Sequence, residues 1–69
     1  MSEISVTVEH RGSATVVNLP AGSKISDVLE KMKLFADAHI VIRGKTPVPL
    51  NAEVEDGEKL KVLRVASGG

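Results

Sequence analysis

The chemistry this sequence can offer is concentrated at its last four residues, Ala66-Ser67-Gly68-Gly69. Two glycines in a row remove the Cβ atoms that would keep a backbone out of a narrow channel. They also leave the carboxylate of Gly69 open to attack. An enzyme that adenylates that carboxylate with ATP makes an acyl group able to take up sulfur or an amine. In that scheme Gly69 is the reacting residue, Gly68 gives slender access, and Ser67 and Ala66 complete the threaded tail. A frayed terminus or a linker scar would look the same by this feature alone.

Other constellations are weaker. There is no Cys, so a thiol nucleophile, a disulfide and a thiolate zinc site are excluded. His10 and His39 lie far apart in the chain and read as solvated. Asp56-Gly57 lacks the spaced carboxylates of a calcium loop and reads as a turn. Ser23 and Ser26 have no supporting histidine and no nucleophile elbow, so they read as helix-start residues. Gly12, Gly22 and Gly44 fall in turns and form no phosphate loop. No bound cofactor and no metal are expected, and the chain itself is not expected to be an enzyme.

Composition narrows the partners. Nine Lys and Arg balance nine Asp and Glu, and Phe35 is the only aromatic residue. Nucleic-acid binding draws on a basic excess or on several stacking aromatics, so none is expected. No apolar run approaches the ~20 residues that span a bilayer, and Met1-Ser2-Glu3 does not open a signal peptide. A cytoplasmic monomer with no membrane contact is the expectation. With 69 residues the chain makes one small domain, and domains of this size bury only about 60% of their unfolded surface.

The elements that hold the tail follow from periodicity. Ile4, Val6 and Val8 alternate with polar residues, His10 to Ser13 reads as a turn, and Thr15, Val17 and Leu19 continue the alternation. Together they predict a hairpin over roughly residues 3 to 19. Ile25, Val28, Leu29 and Met32 make one apolar helix face, with Ser23 as the expected N-cap. Asp27 and Glu30 fall on the solvated side, and Lys31 and Lys33 suit the helix C-terminus. Ala38, Ile40 and Ile42 form the next period-two set, with His39, Val41 and Arg43 on the other face. Pro47-Val48-Pro49 allows only a short edge strand. A last strand carries Leu60 and Val62 on one face and Lys61, Leu63 and Val65 on the other. The order β-β-α-β-β-β predicts an α+β fold, a mixed sheet of four or five strands packed on one helix. Residues 1–65 are expected to form the domain and 66–69 a flexible tail.

If Ile40, Ile42, Leu60 and Val62 face the helix, then Val41, Leu63 and Val65 make an outward apolar patch for a partner. Arg64 beside them is placed to meet an acidic surface. Six lysines, Lys24, Lys31, Lys33, Lys45, Lys59 and Lys61, are candidate linkage points, and the sequence ranks none of them.

The strand order, the segment Ile40-Val41-Ile42-Arg43-Gly44-Lys45 and the ending from Val54 to Gly69 resemble the ubiquitin-like β-grasp superfamily. The likeness is greatest to the small archaeal modifier proteins. Those are related to the thiamine-pathway sulfur carrier, the small subunit of molybdopterin synthase and the ubiquitin-related modifier of tRNA thiolation. The resemblance implies a β-grasp fold and an E1-like activating partner, which uses ATP to adenylate the terminal glycine. The product is a thiocarboxylate, which donates sulfur to tRNA, molybdopterin or thiamine precursors, or an isopeptide bond to target lysines. Other partners would be target-protein lysines or a sulfur-acceptor enzyme. Two further readings are a non-covalent interaction module and a subunit that inserts its tail into a larger enzyme.

Overall fold

A computed structural model of the chain describes residues 2–65. Strands β1 (Glu3–His10) and β2 (Ser13–Pro20) form the predicted hairpin. Helix α1 (Ile25–Lys31) follows, then a 3-10 turn at Ala36–Ala38, then β3 (His39–Arg43), β4 (Thr46–Val48) and β5 (Lys59–Arg64). The five strands make one sheet in the order β2-β1-β5-β3-β4. β1 and β5 run parallel; the other neighbours are antiparallel. This is the expected mixed sheet, with the C-terminal strand at its centre.

One sheet face packs on α1. Ile4, Val6, Val8, Val17, Leu19, Leu60 and Val62 from the strands meet Ile25, Val28 and Leu29 from the helix. Every one of these is an aliphatic residue at the expected parity, and no polar side chain among the described residues is buried with them. β4 is the predicted proline-containing edge strand, and only Val48 of its three residues turns toward the core.

Both ends of the helix depart from the simplest reading. Its N-cap is Lys24, not Ser23. The first free N–H groups are taken by a neighbouring loop: Ile25 N–H donates to the Ala52 carbonyl (2.9 Å) and Ser26 N–H to the Leu50 carbonyl (3.0 Å). Ser23 instead donates its hydroxyl to the Pro20 carbonyl at 2.7 Å. A side-chain cap at Ser23 is therefore not needed. Asp27 still stabilises this end, since its carboxylate accepts from Lys24 N–H at 2.8 Å.

At the other end Lys33 has φ +61. Its N–H donates to the Glu30 carbonyl (3.0 Å), and Leu34 N–H donates to the Leu29 carbonyl (2.9 Å). That paired closure is the Schellman arrangement, with a lysine at the left-handed position where glycine is usual. The turn aims Leu34 and Phe35 across the helix end toward β3.

Candidate functional site

β5 leads to the tail. It is flanked by β1 and β3, and its last described link is Val65 N–H donating to the Ala38 carbonyl at 2.8 Å. Ala66, Ser67, Gly68 and Gly69, the expected reactive tail, lie outside the described residues. The domain thus anchors the chain immediately ahead of that segment through a central strand.

The outward sheet face differs from the expected patch at one strand. Val41 is 1% exposed and sits in the core, while Ile40 is 39% exposed. The cause is register: Val41 lies opposite Val62 and Ile40 lies opposite Leu63 across β3 and β5. Directly paired residues share a face, so Val41 follows Val62 inward. Val41 is therefore removed from the partner-binding set, and Ile40 and Ile42 replace it. Counting two isoleucines against one valine favoured the wrong parity, because a one-residue shift in a strand exchanges its faces.

Leu63, 38% exposed, stays on the outward face as expected. Val65 is half-buried beyond the end of β5, and Arg64 is exposed at the strand end. The surface nearest the tail is then Ile40 paired with Leu63. Half-buried Ile42 stands beside them, opposite Lys61 on one side and Pro47 on the other. An apolar centre with a charged border, where Lys61 lies opposite Glu9, can dock a protein surface.

Arg43 shares the inward parity of Val41 and closes the far end of the sheet. Its Nε pairs with Glu58, and its Nη2 donates to the Glu53 carbonyl at 3.0 Å. Glu58 in turn accepts from Glu55 N–H at 2.9 Å. This network fixes the loop that returns the chain to β5.

The two histidines are not separated in space. His10 ends β1 and His39 begins β3, and their ring centroids lie 5.5 Å apart with planes at 68°. The signal that would have found this pair is topological. Both residues flank the end of β5, His10 opposite Val62 and His39 opposite Arg64. Among the described residues no group of three or more metal-ligating side chains occurs, and no helix is long and apolar enough to cross a membrane.

No family model matches the chain. It is 35% identical over 48 residues to an uncharacterized protein of Archaeoglobus fulgidus, a match covering 70% of each. The chain belongs to one family with that archaeal protein. Solved structures extend the comparison to the fold. The ubiquitin of Caldiarchaeum subterraneum superposes with a TM-score of 0.74 at 15% identity, over 99% of this chain and all of that one. ATBAG1, in a crystal structure of its complex with HSP70, superposes with a TM-score of 0.81 at 10% identity. It is matched over 93% of this chain, which spans only 41% of its length. The fold is thus the ubiquitin-like β-grasp, as the strand order and the last strand implied.

Proposed function

We propose that this protein is a ubiquitin-like carrier whose Gly69 carboxylate is activated by an E1-like enzyme. The observation that supports the reading is the outward Ile40–Leu63 pair, with Leu63 on the strand that leads to Gly68-Gly69. A docking face next to a slender terminus suits a protein presented to another enzyme rather than one that performs catalysis itself.

The chemistry proceeds in two steps. The Gly69 carboxylate attacks the α-phosphorus of ATP on the partner, forming the acyl-adenylate and releasing pyrophosphate. A nucleophile then attacks the acyl carbon and AMP leaves. Hydrosulfide gives a thiocarboxylate; the amine of a target lysine gives an isopeptide bond and a proton. In both branches the domain supplies recognition through Ile40, Ile42 and Leu63, and the tail supplies reach. The expected Ala66 and Ser67 give a small, uncharged approach to the reacting pair.

The test is ATP–pyrophosphate exchange by the cognate activating enzyme. Intact protein should support exchange, and deletion of Gly69 should abolish it. Ile40→Asp should weaken it at low carrier concentration and spare it near saturation. Exchange unaffected by either change would overturn the reading.

The likeness to ATBAG1, crystallised with HSP70, favours a second reading. In it the domain docks a partner non-covalently and the tail is inert. Deleting Gly69 then leaves partner binding unchanged, whereas the carrier loses its activity.

A further inference from the structure

A second surface sits at the pole where β5 ends, on different residues from the Ile40–Leu63 face. It is a cleft of about 270 Å³ with an apolar wall from Leu34, Phe35 and Ala38. Its rim carries two arginines, Arg11 and Arg64, beside His10 and His39. No acidic side chain lines it among the described residues. The whole chain is electrically neutral, so two arginines in one cleft without a carboxylate represent segregation of charge.

Three further observations single the cleft out. Phe35, the only aromatic residue, is 79% exposed, the most exposed large apolar side chain described. Burying an aromatic ring is among the larger gains available at an interface, and rings of this kind commonly anchor partners. Arg11 has φ +54 and Gly12 φ +81, so the β1–β2 hairpin closes on a two-residue turn with both residues left-handed. Asn-Gly suits such a turn best, and an arginine at its first position carries a conformational cost. Finally, the only ion pair among the described residues is Arg43–Glu58, at the other end of β3, so neither Arg11 nor Arg64 pairs with a described carboxylate.

The main chain fixes one of the two histidines. His39 Nδ1 lies 2.8 Å from the Phe35 carbonyl. A carbonyl only accepts, so Nδ1 carries the proton and the ring is held by the main chain.

We infer that this cleft docks an acidic peptide segment of a protein partner, one in which apolar side chains alternate with Asp or Glu. The apolar residues cover Phe35 and Leu34, and the carboxylates meet Arg11 and Arg64. Arg64 and Val65 precede the tail directly, so such a partner would hold the base of the segment that leads to Gly68-Gly69. The inference does not depend on activation of Gly69.

The test is titration of the isotopically labelled full chain, followed by amide NMR, with a blocked peptide of alternating glutamate and leucine. Shifts confined to residues 10–12, 34–39 and 62–65 are expected. Arg11→Glu and Arg64→Glu should each weaken binding roughly tenfold, as loss of an interfacial charge pair does. Phe35→Ser, a change at an exposed position, should weaken it without altering the fold. Raising the salt concentration should weaken it further. Equal binding of a lysine–leucine peptide would overturn the inference. So would shifts centred on Ile40 and Ile42, the same shifts with inorganic phosphate alone, or self-association that occupies the cleft without peptide.

Discussion

Val41 lies directly across the sheet from Val62, and both side chains point into the core. That pairing decides which residues of β3 can meet a partner. It buries the middle residue of the Ile-Val-Ile run and turns the two isoleucines outward.

Exchanging the roles of Val41 and Ile40 checks this directly. Val41→Ala removes buried methyl groups and should destabilise the fold by about 2 kcal/mol. Ile40→Ala removes a side chain already 39% exposed and should cost less than about 1 kcal/mol. Urea denaturation of the two variants measures the difference. A larger loss for Ile40→Ala would mean that β3 has the opposite register.

Much of this fold is legible in the sequence because most strands alternate cleanly. Ile4, Val6 and Val8 have no competing apolar residues on the other face, and Leu60 and Val62 are separated by a lysine. The β3 stretch is different, since three apolar residues stand in a row and period two cannot choose between them. Only pairing with β5 selects Val41, and that contact is remote in sequence. The histidine pair was hidden for the same reason: His10 and His39 meet because β1 and β3 flank β5. The helix ends were illegible on other grounds. Loop carbonyls at Leu50 and Ala52 replace a local cap, and Lys33 occupies a position where glycine is the usual signal. The tail, Gly68 and Gly69, lies outside the described residues, so its expected chemistry rests on the sequence alone.

Lys33 offers a stabilising change. It holds φ +61 at the Schellman position after α1. Lys33→Gly relieves the left-handed strain and should raise stability by about 0.5–1 kcal/mol. Thermal unfolding of the variant should show a higher midpoint, and a lower one would mean that Lys33 makes a contribution beyond its backbone.

Arg11 should show a trade between stability and binding. Arg11→Asn places a residue suited to φ +54 in the hairpin turn and should stabilise the fold by about 0.5–1 kcal/mol. The same substitution removes one cationic group from the cleft beside Phe35. Denaturation and peptide titration on one variant report both effects, and they should move in opposite directions.

The Arg43 network is expected to need a guanidinium. Arg43 reaches the Glu58 carboxylate and the Glu53 carbonyl together, a fork that a lysine cannot reproduce. Arg43→Lys should therefore recover only part of the loss seen in Arg43→Ala. That loss should be about 1 kcal/mol, since the arginine side chain is 42% exposed and solvent screens the pair. Denaturant midpoints of the two variants decide it, and full rescue by lysine would reduce the interaction to simple charge pairing.

Activation of the Gly69 carboxylate is the central claim, and intact mass spectrometry of the protein purified from its native host tests it most directly. A terminus at Gly69 with a species heavier by the exchange of one oxygen for sulfur is the predicted result for sulfur transfer. Gly-Gly remnants on lysines of other proteins after digestion are the predicted result for conjugation. An unmodified terminus with no such remnants, in cells that contain the activating enzyme, would contradict the account.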